Sequence, residues 1–146
     1  IHLLNTRYQR LDTSPTNTNH SLPTNNKIMA SHNDLGKEGE LIAQQFLQKK
    51  GFKILDCNWR HLRYEVDIIA LDKDFLVFVE VKTRSSMRYG FPDESVNYRK
   101  EKMLIEAAEI YLEKKDLYNE VRFDIVSVIK NEKEQKVYHI VDAFQG

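Results

Sequence analysis

Cysteine is almost missing from this 146-residue chain, and its one thiol, Cys57, excludes both an intramolecular disulfide and a cysteine-rich zinc site. Histidine is also sparse. His2, His20, His32, His61 and His139 show no HxxxH spacing, so a histidine-built metal site is not expected. No stretch approaches the roughly 18 uninterrupted apolar residues of a membrane span. The first 28 residues lack the apolar run of a secretory leader. Net charge is absent too, with 22 basic and 22 acidic side chains. Together these absences lead to an expectation of a cytoplasmic protein of a reducing compartment.

Enough hydrophobic material is present to build a core, at 41% of residues, with 30% charged residues to keep the surface in water. The length suits one domain. Charge is divided unevenly along it. Residues 1–29 hold Arg7, Arg10 and Lys27 against Asp12, leaving 19 basic and 21 acidic side chains in residues 30–146. A segment with that slight negative excess does not coat itself in nucleic acid, so any phosphate binding must come from a local patch. From Asn5 to Asn26 the chain is rich in Asn, Thr, Ser and Pro without apolar periodicity, which predicts a disordered tail over 1–29 and a single domain over 30–146. Met29 is the first methionine and directly precedes the first helical pattern, so residues 1–28 are expected to be translated upstream sequence, the alternative being a native disordered leader.

Leu35, Ile42, Ala43, Phe46 and Leu47 follow helical spacing over Asn33–Lys50, with Asn33 or Asp34 as cap and Gly51 as stop. Phe52–Cys57 is a short strand. Tyr64–Leu71 and Phe75–Thr83 are β-rich runs joined by Asp72-Lys73-Asp74, which predicts a hairpin. Ser85–Glu94, with Gly90 and Pro92, reads as a loop. Ser95 is expected to cap a second helix over Val96–Lys115, and Val121–Ile129 and Lys136–Ala143 complete the pattern as strands around the turn 130–135. The order α-β-β-β-α-β-β implies an α/β fold, a mixed central sheet flanked by helices.

The informative feature is acid inside strands that otherwise want burial. Asp67 lies in Glu65-Val66-Asp67-Ile68-Ile69, and thirteen residues later Glu80 and Lys82 follow the run Phe75–Val79. Alternation puts Glu80 and Lys82 on one face of their strand. Pairing about Lys73 sets Asp67 opposite Val79, so meeting Glu80 requires a one-residue shift or a diagonal contact. Two carboxylates among Val, Ile and Phe resist desolvation unless positive charge joins them. Lys82 supplies one charge, and a hard cation that takes carboxylate, carbonyl and water oxygens supplies more. Asp, Glu and Lys around such an ion suit phosphodiester hydrolysis, with the lysine orienting water or stabilising developing charge. Against this stands the plainer reading, in which Glu80 and Lys82 are a cross-strand ion pair and Asp67 caps a turn or pairs with Arg63.

Other features carry the same two readings. Glu40 borders the apolar stripe of the first helix, as a further acid of the metal shell or as a solvated helix residue. Lys82, Arg84, Arg88, Arg99, Lys100 and Lys102 outnumber Asp93, Glu94 and Glu101. With Tyr89, Phe91 and Tyr98 interleaved, they suit phosphate contact and base stacking, or form a merely solvated face. His61 and His139 are expected to be structural or surface residues, and Trp59 a core-edge anchor.

Gly39-Glu40-x-x-Ala43, Gly51-Phe52-x-Ile54-Leu55, Asn58-Trp59-Arg60, Glu65-Val66-Asp67-Ile68-Ile69, Val77–Arg84 and Arg122-Phe123-Asp124 follow in that order. This series resembles the YraN family of small bacterial proteins, over residues 34–146. That family in turn is similar to the restriction-endonuclease-like superfamily with its PD-(D/E)xK signature, including the archaeal Holliday junction resolvases. The resemblance implies Asp67 and Glu80 as metal-binding acids with the Val81 carbonyl beside them, and Mg²⁺ or Mn²⁺ as cofactor. It implies Lys82 as the motif lysine and Glu40 as the helix glutamate of the resolvase branch. Tyr64 departs from the pattern, standing where the family usually has glycine.

The resulting expectation is a metal-dependent nuclease acting on DNA, branched or damaged, with DNA favoured over RNA. Asp67, Glu80, Lys82 and Glu40 are its catalytic set, and Arg84, Arg88, Arg99, Lys100 and Lys102 grip the phosphates. The resolvase likeness implies a homodimer, because two opposed cuts need two sites. The alternatives are a non-catalytic nucleic-acid-binding or adaptor module that kept the fold, and a structural protein whose acids form ion pairs.

Overall fold

Among the described residues, two helices cover opposite faces of one sheet, and each helix is fixed by its own apolar stripe. The computed structural model describes residues 8–11, 32–88 and 97–146. In chain order these form β1 (Tyr8–Leu11), α1 (His32–Lys49), β2 (Lys53–His61), β3 (Tyr64–Asp72), β4 (Phe75–Arg84), α2 (Tyr98–Lys115), β5 (Glu120–Lys130) and β6 (Gln135–Phe144). From α1 onward this is the α-β-β-β-α-β-β order read from the sequence. The sheet runs β1-β6-β5-β4-β3-β2. Among the described residues only β4 and β5 pair in parallel, and α2 makes the crossover that a parallel pair requires.

Ala43, Phe46 and Leu47 of α1 pack on Ile68, Ala70, Val77, Val79, Val126 and Val128. Leu104, Ala107, Ala108 and Tyr111 of α2 pack on Val66, Ile69, Leu76, Phe78 and Phe123 of the other face. The centre of β4 is therefore buried on both sides, which is why 75–79 reads as an unbroken apolar run. Among the described residues no helix is long and apolar enough to cross a membrane.

Several boundaries differ from the sequence reading. β2 continues past Cys57 to His61, because Asn58 takes a left-handed φ of 51° and Trp59 then anchors edge-on against Tyr111. The α2 cap is Asn97, whose side-chain oxygen accepts the Arg99 N–H at 2.9 Å. Ser95, Val96, Gly90 and Pro92 lie outside the described residues. Tyr8–Leu11 falls within the stretch read as a disordered tail, yet it pairs antiparallel with Val137–Ile140. Composition misses this because the strand is held by backbone hydrogen bonds to the otherwise open edge of β6, a force that hydropathy does not register.

One buried polar network ties the far end of the sheet together. Asp124 accepts hydrogen bonds from Arg122 Nε and Nη2, both at 2.9 Å, and from the Asp142 N–H at 3.0 Å. His139 Nε2 lies 2.8 Å from the same carboxylate, and Lys50 Nζ lies 2.8 Å from His139 Nδ1. With Lys50 donating to Nδ1, the ring proton sits on Nε2 and points at Asp124. Histidine 139 is thus a fully buried structural residue. Burial alone would raise the Asp124 carboxyl, but the bonds from His139 and Arg122 outweigh it and hold the group below the ordinary carboxylate range.

A carboxyl depressed in the folded state contributes stability above its unfolded value near pH 4, and that contribution is lost as pH falls through the lower folded value. Asp124→Ala is therefore expected to cost about 3–5 kcal/mol in urea unfolding at pH 7, by stranding buried charge. The gap from wild type should narrow below roughly pH 4. A gap independent of pH would show that Asp124 acts by packing alone.

Candidate metal and nucleic-acid site

The β3–β4 hairpin sets the site. Its turn has two residues, Lys73 and Asp74, with Lys73 at φ 54°, so Asp72 faces Phe75 and the ladder climbs to Ile68 opposite Val79. Pairing centred on Lys73 is therefore corrected by one residue. Continued one step, this register sets Asp67 opposite Glu80, but the ladder stops there. On the other side, β2 pairs Cys57 with Ile68 and Trp59 with Val66 and skips Asn58, which would face Asp67. Alternation also slips at this point, since Val66 and Ile69 lie on the α2 face and Ile68 and Ala70 on the α1 face. Asp67 thus occupies a break in the sheet that opens toward both neighbouring strands.

Its carboxylate fills part of that break. Asp67 Oδ2 accepts the Val81 N–H at 2.7 Å, in place of a ladder bond. In a strand the N–H and C=O of one residue point to the same side, so the Val81 carbonyl faces the same gap. Glu80 stands beside it, its side chain only 15% exposed. Lys100 of α2 brings Nζ within 3.1 Å of Glu80 Oε2, yet this buried oxygen receives no hydrogen bond. Burial, and next the charge of Glu80, push the Asp67 carboxyl up to about 7, against the pull of the Val81 N–H and Lys100. The pair is short of positive charge.

Glu40 completes a negative rim. It lines a cavity of about 310 Å³ with Lys37, Gln44, Cys57 and Asp67, and its charge also raises Asp67. Its placement follows from Gly39, which lies so close to Thr83 of β4 that an added Cβ would sit 1.9 Å from the Thr83 hydroxyl. Even the Thr83 Cβ would be only 2.8 Å away, so no rotamer makes room. Gly39→Ala is expected to push α1 off β4 and cost about 1–3 kcal/mol by thermal or urea unfolding, despite alanine's better helix propensity. Unchanged or increased stability would contradict this packing.

Among the described residues no three His, Cys, Asp or Glu side chains converge to cage a metal unaided. What the gap offers is two carboxylates, one of whose oxygens, Glu80 Oε2, is paired with Lys100 but lacks a hydrogen bond, and one main-chain carbonyl. That donor set fits Mg²⁺ or Mn²⁺, hard ions that bind through one or two carboxylates and keep several waters. It does not fit a soft or imidazole-loving metal.

Lys82 is half-buried on β4, two residues beyond Glu80, at the same end of the sheet. Of the expected phosphate contacts, Arg84 is half-buried at the end of β4, and Arg88, Arg99 and Lys102 are exposed. Lys100 is instead turned to Glu80. Arg99 and Lys102 share a groove of about 360 Å³ with Met103, Glu106 and Arg63. Tyr98 is 79% exposed beside them, whereas Tyr89 and Phe91 lie outside the described residues. Arg63 lies outside the basic run of residues 82–102 and joins the groove only through the β2–β3 turn. The available signal was Arg60-His61-Leu62-Arg63, a cationic turn between two strands.

Residues 39–128 match the model of the uncharacterised protein family UPF0102. The chain belongs to this family. It is 50% identical over 116 residues to the family's protein from Flavobacterium psychrophilum, covering 80% of this chain and 98% of the relative. A member from Parabacteroides distasonis is 43% identical over 116 residues, covering 80% of this chain and 96% of its own length. Another, from Caldanaerobacter subterraneus, is 42% identical over 114 residues, covering 75% and 93%. The family match includes the whole site from Gly39 and Glu40 through Asp67, Glu80 and Lys82 to Lys102.

Proposed function

We propose that this UPF0102 member is a metal-dependent phosphodiesterase of the restriction-endonuclease-like class, similar to archaeal Holliday junction resolvases, acting on DNA in the cytoplasm. The observation that carries the reading is buried Asp67 lying beside the charge of Glu80 where the β3–β4 ladder stops, with Glu80 Oε2 paired to Lys100 but without a hydrogen bond. Asp67, Glu80 and the Val81 carbonyl would hold Mg²⁺ or Mn²⁺, which supplies polarisation of the phosphodiester and an acidified water. Asp67 and Glu80 orient around that centre. Lys82 steadies the attacking water and the charge that grows on the phosphate oxygens as the P–O bond breaks. Glu40 orders water at the outer rim. Arg84, Arg88, Arg99 and Lys102 hold the phosphate backbone and fix the scissile bond over the acids. Two opposed cuts in a branched substrate call for two copies of the chain.

The Lys100–Glu80 contact favours a second reading, a nucleic-acid-binding module without turnover in which lysine replaces the metal's charge. Incubating the protein and its Asp67→Asn/Glu80→Gln variant with fluorescent linear, flapped and four-way DNA separates the two. Cleavage by the wild type that needs Mg²⁺ or Mn²⁺, stops in EDTA and vanishes in the variant is expected. Binding without cleavage under every condition would transfer the assignment to the second reading.

A further inference from the structure

The tip of the β2–β3 hairpin carries a residue that folding alone does not explain. Leu62 is 89% exposed and takes a φ of 51° on the two-residue turn Leu62-Arg63. A single exposed leucine is ordinary. A left-handed one is strained, because its Cβ crowds the backbone, and glycine would serve the turn at no cost. Arginines flank it. Arg60 and Arg63 are more than two-thirds exposed, and their partners Glu65, at 2.8 Å, and Glu106, at 3.4 Å, form the loose surface ion pairs that exchange readily for phosphate. Behind the tip, Arg63 continues into the groove of Arg99 and Lys102 on α2. Arg63, just before β3, precedes Asp67 by four residues, about 13 Å of extended chain, or roughly four base-pair steps.

We propose that this tip is a wedge for DNA. Leu62 inserts between stacked bases at a branch point, while Arg60, Arg63, Arg99 and Lys102 hold the phosphates on either side. An apolar side chain projecting from a cationic mount is the means by which proteins unstack a base step, and the unstacking is cheapest where pairing is already interrupted. The wedge thus gives the proposed nuclease its preference for branched over linear duplex, and it rests on that reading.

The test uses the full chain and a four-way junction carrying 2-aminopurine at the branch, with Ca²⁺ replacing Mg²⁺ to hold back cleavage. Wild type should bind with a rise in 2-aminopurine fluorescence as the base unstacks. Leu62→Gly keeps the left-handed turn and relieves its strain, so it should melt no lower than wild type. It should nevertheless lose the fluorescence rise and bind the junction about tenfold more weakly. Leu62→Phe should retain the rise. Arg63→Ala should weaken binding to all DNA and lower the salt slope by about one. Wild-type binding without a fluorescence rise, or a rise unchanged in Leu62→Gly, would overturn the wedge and leave the nuclease reading standing. Failure of wild type to bind any DNA would overturn both.

Discussion

Asp67→Asn is expected to raise the melting temperature of the metal-free protein at pH 8. Burial and the neighbouring Glu80 push the Asp67 carboxyl up to about 7 in the folded chain. Below about pH 4 the folded and unfolded states both hold the proton, and the group is silent. Between about 4 and 7 only the folded chain keeps it, so each unit of rising pH removes stability, by at most ~1.4 kcal/mol. Above 7 the whole penalty is in place, on the order of a few kcal/mol. Asparagine carries no charge, and its oxygen can still accept the Val81 N–H. A gain of about 5–10 °C follows, shrinking toward pH 4. Such a gain on removing a residue marks a site where stability has been given up for function. Equal or lower melting of the variant at pH 8 would mean that Asp67 is a structural acid already neutralised by its surroundings.

On the proposed mechanism, Lys82→Ala is expected to slow cleavage by about 100- to 1,000-fold without disturbing the proposed metal site. Lys82 stands two residues beyond Glu80 on a strand whose register is fixed on one side by the parallel ladder to β5, where it faces Ser127. Its ammonium is the positive group of the proposed catalytic set. Removing one preorganised charge from a developing oxyanion typically costs about 100- to 1,000-fold in rate. The loss should fall on turnover, with junction affinity and Mn²⁺ affinity within a few-fold of wild type. Lys82→Arg should not restore the rate, since a planar fork does not substitute for a compact point charge. A variant that cleaves within tenfold of wild type would remove Lys82 from the mechanism.

Much of this was legible in the sequence because hydropathy and spacing act locally. The two-sided burial of β4 made 75–79 conspicuous, and Glu80 and Lys82 stood out as charges at its end. The meeting of Asp67 with Glu80 was less accessible. It depends on whether the hairpin turn takes two residues or three, and Asp72-Lys73-Asp74 admits both. The structure resolves it through the left-handed Lys73. Lys100 reads as one more base in a patch, and only the packing of α2 on the sheet turns it to Glu80. His139 reads as unremarkable because its partners, Lys50 after α1 and Asp124 on β5, come from other elements. The left-handed φ at Leu62 that underlies the proposed wedge has no signature in hydropathy. The pairing of Tyr8–Leu11 was hidden because an open strand edge recruits backbone whatever its composition.

The most direct measurement is a titration of Mn²⁺ into the metal-free full-length chain, following free ion by its electron paramagnetic resonance signal. Wild type should take up a single tight Mn²⁺ that Mg²⁺ displaces, and Asp67→Asn/Glu80→Gln should take up none. Equal uptake by both proteins, or none by either, would contradict a metal centre at the break between β3 and β4.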